Sequence, residues 1–587
     1  MSTLSFLLVL ALMGAGLLLV SFNHKGLGAA LFGFSAFLFL ALMPWRTVDL
    51  LMMEHGGFGR WAKPRMAAIQ ATWLVVSAGF GSGVGLLAAF GKSPQGRLPE
   101  WEEPGEFPNL DGLVRDALSD GMSGQTFLGI ANGRGQVCLS SAERERHLQF
   151  VGPTRSGKSQ LLFALSGQDM RKGLPVFFME AKGDRSDFDQ FLRLAGLADR
   201  VQAVRYFNPH DGRSMTFNPI RMLPGQDATA IANQIARAIG REPTSTGEGQ
   251  DYYRSVDYAK IQNMAEVFCS TGRQFTFRDC FQYFNDKGAR DKAFQLCKSD
   301  RKVVGMAALQ FTDAPDSTAL TSALRPWTTG PLGRLLNSYS PQIKLEEMFD
   351  KRQLTYFAIP IGHLQVLANP LGRMVISGLL SVAASRQKAC EKPGPASVIL
   401  DEFAEFATPV FASFIATVGS AKLWTTLSHQ DRGQLKKVTG MDADAFGSAV
   451  YNNTSGCKVC FRTPDPEDAE FWSSTLGTFT TTDDTERIQR GLLGTIRPGE
   501  MSRRGVEQFK VHPNRLKNLT PGSALIFAPG KEACLVRSAR VYEVLKGVAL
   551  PELAAVEARF EEGLDLSAEV RDPGGAAQFD KHGELHA

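Results

Sequence analysis

Three long apolar stretches with almost no charged residues open the chain, at 4–22, 28–43 and 66–90. About 20 apolar residues suffice for a helix to cross a bilayer. The first stretch lacks the basic start of a secretory signal, and a second apolar stretch follows at once. We therefore predict a multi-span transmembrane anchor over 1–92, with buried core helices as the alternative. The basic residues between 44 and 65 leave the number and orientation of the spans open.

Beyond the anchor, short apolar strands alternate with helical segments. Residues 93–124 contain several prolines and an acidic run, and are predicted to be a linker. Strand patterns follow at 125–130, 135–139, 148–151, 174–179, 353–359, 396–400 and 423–430. Strands that alternate with helices predict an α/β fold with a parallel, doubly wound sheet.

Between residues 226 and 344 helical spacing replaces the strand signals. We predict an all-α insert domain over 226–344, so that the motor domain comprises 125–225 and 345–550. The tail 551–587 becomes polar and loses periodicity, and is predicted to be disordered.

Composition narrows the function only slightly. The chain has 587 residues, of which 21% are charged. Its net charge of +4 neither indicates nor excludes nucleic-acid binding. Its eight cysteines all lie beyond the apolar start, which favours a reducing compartment. Cys457 and Cys460 form a CxxC pair, but no second pair or histidine pair is near, so a structural strand is favoured over a metal or redox site.

The most informative motif is the sequence Gly-Pro-Thr-Arg-Ser-Gly-Lys-Ser at 152–159, which has the spacing of a phosphate-binding loop. Glycines let successive backbone N–H groups face phosphate oxygens. Lys158 would place a charge on the terminal phosphates, and Ser159 would offer its hydroxyl to Mg²⁺. An apolar strand precedes the loop and a helix follows it, so we predict an ATP or GTP site, with a chance glycine-rich turn as the alternative. The residues expected to contact the nucleotide are Gly152, Thr154, Arg155, Ser156, Gly157, Lys158, Ser159 and Gln160.

Two carboxylates follow the apolar strand 396–400, and an open parallel sheet binds ligands at the carboxyl ends of its strands. Asp401 is therefore predicted to share the Mg²⁺ with Ser159, and Glu402 to act as the general base on the attacking water. Gln430, at the end of the strand 423–430, is a candidate sensor of the γ-phosphate. The alternatives are a solvated strand end and a polar strand cap.

These residues resemble the coupling proteins of type IV secretion and conjugation systems. The resemblance covers most of the chain beyond residue 125 and rests on the order and spacing of its motifs. The matching segments are Gly-Pro-Thr-Arg-Ser-Gly-Lys at 152–158, Glu-Ala-Lys-Gly-Asp at 180–184, Phe-Asn-Pro at 217–219, Asp-Glu-Phe-Ala at 401–404, His429-Gln430 with Gln434-Leu435, and Val-Cys-Phe-Arg at 459–462 with Asp-Ala-Glu at 468–470.

The resemblance implies a RecA-like motor with an all-α domain, working as a homo-hexameric ATPase with ATP and Mg²⁺ as cofactors. It places the protein in the bacterial inner membrane with its motor in the cytoplasm. Its implied partners are single-stranded DNA with a relaxase, or effector proteins, and the components of a type IV secretion channel. One departure is Gly419, which stands where the family often has a trans-acting arginine, so this arginine is unassigned, with Arg432 and Arg462 as candidates.

Three alternatives stay open at this point. The cargo could be protein effectors, because coupling proteins serve both cargoes. A septal-type double-stranded DNA translocase is a second alternative, although the short polar tail does not accommodate its usual C-terminal winged-helix module. A non-enzymatic nucleotide-binding receptor is a third, which Glu402 and Gln430 argue against. No compact basic–aromatic stripe marks a DNA pore, and 503–505 and Arg515 are better read as a solvated loop.

Overall fold

The computed structural model describes residues 109–566, with gaps at 121–123, 132–134, 224–225, 243–249, 299–300, 314–315, 390–392, 410, 413–414, 416–417, 437, 439–441, 487–488, 492–493 and 497–500. The predicted transmembrane anchor, the start of the linker and the end of the tail lie outside the described residues.

Strands and helices alternate through the motor, and helices dominate its middle. The strands are β1 Gln125–Ala131, β2 Gly135–Ser140, β3 Leu148–Val151, β4 Val176–Glu180, β5 Val204–Phe207, β6 Leu354–Ala358, β7 Ala396–Leu400, β8 Leu423–His429, β9 Cys457–Cys460, β10 Thr478–Glu486, β11 Gln489–Gly491, β12 Gly494–Ile496, β13 Met501–Phe509, β14 Ser523–Phe527 and β15 Cys534–Ser538. The helices are α1 Leu110–Asp120, α2 Ser141–Arg144, α3 Lys158–Arg171, α4 Arg185–Leu197, α5 Ala228–Ala238, α6 Gln250–Thr271, α7 Phe277–Asn285, α8 Lys287–Leu296, α9 Arg301–Asp313, α10 Thr318–Leu324, α11 Gly330–Leu336, α12 Glu347–Asp350, α13 Ile361–Leu364, α14 Ala368–Ala389, α15 Arg432–Leu435, α16 Ala443–Asn453, α17 Pro466–Leu476, α18 Pro513–Lys517 and α19 Tyr542–Leu545.

The motor is built on one sheet of eleven strands in the order β2-β1-β15-β14-β9-β3-β8-β7-β4-β6-β5. The strands from β9 to β5 in this order all pair in parallel. The other four extend the sheet with antiparallel pairs. The predicted α/β fold with a parallel sheet is confirmed. Strands β1 and β2 were also predicted, whereas β14, β15 and the antiparallel junction with the parallel strands were not.

Both faces of the parallel part of the sheet are buried. Consecutive strand residues point to opposite sides, so neighbouring apolar residues pack on different faces. In β4, Phe178 stacks on Phe163 of α3 at 5.1 Å between ring centroids. Its neighbour Phe177 faces the other side, where it meets Phe357 of β6 at 5.6 Å. The uninterrupted apolar strands in the sequence are thus explained by helices on both sides of the sheet.

The register of the parallel strands brings several carboxyl ends to one edge. Val151 lies opposite His429, and Leu400 lies opposite Leu427. Met179 of β4 pairs with Leu400 of β7. The residues that follow β3, β7, β8 and β4 therefore meet at this edge, as the sequence predicted for the first three.

Between β5 and β6 the described part of the chain folds into helices α5 to α12. Their buried side chains belong to the same apolar core as the α14 side of the sheet. For example, Ile235 of α5 and Phe277 of α7 share this core with Phe207 and Phe357 of the sheet. The helical segment is therefore packed onto the motor.

The prediction of a linker over 93–124 differs from the structure from residue 110 onward, where a helix begins. Helix α1 buries Val114 and Leu118, and the Leu118 side chain packs over Gly167 of α3. The linker prediction followed the prolines and acidic residues at 94–104, whereas the amphipathic spacing of 110–120 indicates a helix. Residues 110–120 thus form part of the motor core.

The prediction of a disordered tail over 551–587 is also wrong for residues 551–566, which we call the C-terminal strap. The strap begins where Pro551 packs over Gly196 of the motor, and it ends with Leu564 and Leu566 buried against the helical domain. Leu564 N–H donates to the Gln274 carbonyl at 2.7 Å. The strap has no regular secondary structure, so its sequence lacks the periodicity that would have revealed it.

Charge also anchors the strap. Glu561 forms ion pairs with Arg221 and Lys344, and the Lys344 side chain is only 5% exposed. Arg221 in addition contacts Glu346 at 2.6 Å. Buried charges of this kind need partners, because an unpaired ammonium group away from water is costly.

Two further features complete the fold. Strands β10 and β13 form a long antiparallel arm between α17 and α18, separate from the main sheet. Within the described residues, one helical run, Ile361–Lys388, is long and apolar enough to cross a membrane by length and composition. Just over half of it is buried, with Leu371 and Met374 in the motor core.

We expect Glu561→Ala to loosen the strap, because it leaves Lys344 and Arg221 without their shared carboxylate. The expected loss is about 2 kcal/mol, below the cost of breaking a fully buried pair since Glu561 is partly exposed. Thermal unfolding of the full-length protein in detergent and limited proteolysis of the strap measure the change. The adjacent variant Glu562→Ala is the control: its carboxylate pairs with Arg273 at 2.5 Å but is 67% exposed, so its effect should stay below about 1 kcal/mol. Equal behaviour of the two variants would contradict an anchoring role of Glu561.

Candidate nucleotide-binding site

The phosphate-binding loop predicted at 152–159 connects β3 to α3. Gly152 leaves no room for a side chain, because a Cβ there would lie 2.6 Å from Cβ of Phe461. Gly157 has a φ of 108°, which glycine tolerates and other residues rarely adopt. Helix α3 then begins at Lys158, so its free N–H groups and positive dipole end point out of the loop. This is the geometry that binds phosphate anions.

A turn from the antiparallel half of the sheet supports the loop. Gly522 N–H donates to the Ser156 carbonyl at 2.8 Å. A Cβ built on Gly157 would lie 3.0 Å from Cα of Gly522. This contact could not be predicted, because the two segments are more than 350 residues apart and Gly522 reaches the loop only through its place before β14, a strand that was not predicted.

Asp401 is the centre of the charged cluster, and its side chain is almost fully buried. Its carboxylate accepts from Ser428 Oγ at 2.7 Å and from Ser159 Oγ at 3.2 Å. Lys158 Nζ lies 3.9 Å from one carboxylate oxygen and Lys182 Nζ 3.3 Å from the other. Burial alone would raise the pKa of Asp401, but the two ammonium groups and the hydroxyl of Ser428 outweigh it and hold the pKa below its usual value.

Glu402 contacts Lys158 directly, with Oε1 at 3.1 Å from Nζ. Its backbone is left-handed, with φ 54° and ψ 39°, a conformation that costs a residue with a Cβ about 1–2 kcal/mol. Its second oxygen, Oε2, is buried without a hydrogen-bond partner among the described residues. Strain and an unpaired buried oxygen together are typical of functional sites.

Lys182 joins the cluster from the turn after β4. Its ammonium group contacts Ser159 Oγ at 3.2 Å as well as Asp401. The turn is held by the Glu180 carboxylate, which accepts from the backbone N–H groups of Lys182 at 2.5 Å and Gly183 at 3.0 Å. Burial raises the pKa of Glu180 to about 8, although these N–H groups act in the opposite direction. Neither Lys182 nor Ser428 was predicted as a site residue, because their contacts depend on strand register.

Gln430 directly follows β8, and its backbone N–H donates to Gln434 Oε1 at 2.9 Å. Its neighbour His429 is fully buried, with Nε2 2.9 Å from Gln149 Nε2 and Nδ1 2.8 Å from the Asp431 carbonyl. Since the Gln149 amide nitrogen only donates, His429 Nε2 accepts and the proton is assigned to Nδ1, which donates to Asp431. This neutral imidazole fixes the turn that carries Gln430, and burial lowers its pKa to about 4.

The other predicted contact residues are placed less uniformly. Thr154 and Arg155 are exposed on the loop, where Arg155 has a φ of 63°. The Ser156 hydroxyl is buried without a partner among the described residues. The Gln160 side chain turns away from the cluster: its Oε1 accepts from Tyr542 N–H at 2.8 Å and its Nε2 donates to Gln190 at 2.9 Å. A nucleotide role of the Gln160 side chain is thus not supported, whereas a bracing role is.

The residues present fit a nucleotide with Mg²⁺. No group of three or more histidine, cysteine or acidic side chains in the described ranges could hold a metal ion by itself. Mg²⁺ in nucleotide sites needs only one or two protein oxygens, with phosphate and water supplying the rest. Ser159 and Asp401 provide such oxygens 3.2 Å apart. The buried Ser156 hydroxyl and Glu402 Oε2 are unpaired polar atoms that a ligand could satisfy.

Other candidates take on structural roles. Cys457 and Cys460 are both buried in β9, in agreement with the structural-strand interpretation. The guanidinium of Arg432 lies 3.7 Å from the centre of the Phe471 ring, while Arg462 is exposed. A role of Arg432 or Arg462 toward a neighbouring subunit stays a prediction.

Comparison with known proteins adds a family match. Residues 395–519, from β7 to α18, match the family model described as "TraM recognition site of TraD and TraG". This segment contains Asp401, Glu402 and Gln430. No curated protein sequence matches the chain.

Several solved structures are similar to this one. The conjugative coupling protein TrwBdeltaN70, in a trigonal form with sulphate, is 17% identical with a TM-score of 0.49, covering 81% of this chain and 99% of that one. Plasmid coupling protein TrwB in complex with ADP and Mg²⁺ is 16% identical with a TM-score of 0.46, covering 72% and 88%. VirB4 of Thermoanaerobacter pseudethanolicus is 13% identical with a TM-score of 0.45, covering 71% and 97%.

The buried histidine at the end of β8 predicts acid sensitivity. In the unfolded chain a histidine takes up a proton near its ordinary pKa of about 6.5, but folded His429 does so only near 4. The unfolded state therefore binds more protons between these values, so stability should fall as pH falls from about 6.5 to about 4.

The test is the slope of melting temperature against pH for the full-length protein. His429→Gln should be less stable at pH 7 yet lose less stability on acidification, whereas His512→Gln, at an exposed position, should keep the original slope. If the slope for His429→Gln matches that of the unchanged protein, the buried imidazole is not the titrating group.

Proposed function

We propose that this chain is a membrane-anchored ATPase of the type IV coupling protein family, a proposal supported by the match of residues 395–519 to the family model of TraD and TraG. It would couple ATP hydrolysis to moving relaxase-bound single-stranded DNA into a type IV secretion channel. The observation that carries the proposal is the convergence of Lys158, Ser159, Asp401 and Glu402 at one sheet edge.

In this proposal each residue of the cluster has one task. Lys158 and the N–H groups at the start of α3 bind the phosphates and neutralise the charge that develops during transfer. Ser159 and Asp401 would hold Mg²⁺, which would supply charge neutralisation at the phosphates. The ion pair between Lys158 and Glu402 gives way to a terminal phosphate, so that Glu402 is released to polarise the attacking water.

Gln430 would report the presence of the γ-phosphate. It lies beside the cluster on a turn braced by His429 and Gln434. A rigid support of this kind suits a sensor, since a small change in the side chain is then transmitted to α15 and α16 rather than lost in loop motion.

The assembly and location follow the family. Residues 1–92 would anchor the motor in the bacterial inner membrane by several spans, with the nucleotide site in the cytoplasm, and six copies would form the ring. The domain boundaries proposed are a motor at 125–225 and 345–550 and an all-α domain at 226–344. The structure supports including α1 and the C-terminal strap with this body.

Nucleotide chemistry is tested by two substitutions in the full-length protein reconstituted in lipid. Glu402→Gln should lower kcat by about 10²–10⁴, the usual range for a lost general base, while nucleotide binding stays within about threefold. Lys158→Ala should weaken binding as well as hydrolysis. The surface variants Glu347→Gln and Lys351→Ala, taken from an exposed ion pair of 2.8 Å, should change neither quantity. Nucleotide binding without any hydrolysis in the unchanged protein would favour the receptor alternative.

Cargo is tested in the same preparation by adding DNA. Hydrolysis that rises with single-stranded DNA and vanishes in Lys158→Ala supports the proposed DNA motor. A stronger response to double-stranded DNA would favour a septal-type translocase. Hydrolysis that ignores both would direct the search to protein effectors.

A further inference from the structure

The ammonium group of Lys182 lies where two oxygens of the proposed metal site converge. It contacts Ser159 Oγ at 3.2 Å and the Asp401 carboxylate at 3.3 Å. These two side chains are the proposed protein ligands of Mg²⁺. A lysine that satisfies the same pair of oxygens competes with a divalent cation for them.

The backbone that carries Lys182 is fixed, so only the side chain has freedom. Glu180 accepts the N–H groups of Lys182 and Gly183, and Ile361 N–H donates to the Ala181 carbonyl at 3.1 Å. Gly183 has a φ of 73°, and a Cβ there would lie 2.6 Å from Pro360. The Lys182 side chain itself is 37% exposed, against 4% for Lys158.

Lys182 and Lys158 lie on either side of one carboxylate. Lys158 approaches one oxygen of Asp401 and Lys182 the other. A lysine has a flexible four-carbon stem, so its head group can move by several ångströms, about the length of the stem, without backbone change. A Lys182 head group displaced from Asp401 thus stays close to the anion-binding end of α3.

We propose that Lys182 is a second active-site cation that exchanges partners with the nucleotide state. Without nucleotide, its ammonium group neutralises Asp401 in the place of the metal ion. When a nucleotide with Mg²⁺ binds, Lys182 leaves Ser159 and Asp401 and places its charge on the terminal phosphates beside Lys158. This inference rests on the proposed function and adds a residue to its phosphate- and metal-binding group.

The exchange predicts that removing the lysine eases metal binding. Thermal unfolding of the full-length protein is followed while Mg²⁺ alone is titrated, without nucleotide. Lys182→Met, which keeps the length of the side chain but not its charge, should melt at a lower temperature without metal. Mg²⁺ should restore it with a midpoint about three- to tenfold lower than in the unchanged protein. Lys182→Arg keeps the charge and should keep the original midpoint.

A second measurement separates this inference from the proposed function. Binding of a fluorescent non-hydrolysable ATP analogue is titrated with Mg²⁺ for the unchanged protein, Lys158→Ala, Lys182→Met and the surface control Lys351→Met. In Lys182→Met the analogue should need less Mg²⁺ for half-saturation but bind more weakly at saturating Mg²⁺, because the second phosphate cation is lost.

The outcomes are distinguishable. If the unchanged protein and Lys158→Ala both fail to bind the analogue, the proposed nucleotide function fails. If the unchanged protein binds it and Lys182→Met shows the same Mg²⁺ midpoint as Lys351→Met, nucleotide binding stands and the exchange role of Lys182 is overturned. A lower melting temperature alone, without a shifted midpoint, would assign Lys182 a merely structural ion pair.

Discussion

The arrangement of the site depends on one buried carboxylate, that of Asp401. Its negative charge must be balanced by cations and hydrogen-bond donors close to it. Removing a carboxylate from water is expensive unless cations and hydrogen-bond donors surround it. Here two lysines and two serines do so, and they come from three segments: the phosphate loop with α3, the turn after β4 and the end of β8. Together with the end of β7, which carries Asp401, four segments meet here. The parallel register of the central strands is what delivers all four to one point. A shift of register by one residue would turn these side chains to the other face of the sheet and leave the charges unpaired.

The parts of the site that consist of neighbouring residues could be predicted from the sequence. The phosphate loop is recognisable because eight consecutive residues perform one task, and Asp401 with Glu402 because they close an apolar strand. Strands β3, β4, β6, β7 and β8 were foreseen within a few residues, since strands buried on both faces are short continuous apolar runs.

The site features that could not be predicted depend on contacts between segments that are far apart in the sequence. Ser428 and Lys182 acquire their roles only through the pairing of β8 with β7 and of β7 with β4. The support of the loop by Gly522 depends on the position of the antiparallel strands β14 and β15, which were not predicted. Gln160 was assigned to the nucleotide by its position after Ser159, but its amide satisfies backbone groups near Tyr542. Helix α1 was predicted to be part of a linker and the strap to be disordered, because both predictions followed the polar composition, although a few apolar residues anchor each segment.

The strap has a mechanical consequence. It leaves the motor beside Gly196 and ends at Gln274 and Asp279 of the helical domain, where Leu566 N–H donates to the Asp279 carboxylate at 2.9 Å. Two lobes that share a core and are also tied along the outside have little freedom to hinge against each other. The motor, the helical domain and the strap then move as one body, so that a displacement at the nucleotide edge would be carried to the helical domain and not absorbed between the two lobes. In the ring proposed above, hinge motion would therefore take place between neighbouring copies of the chain.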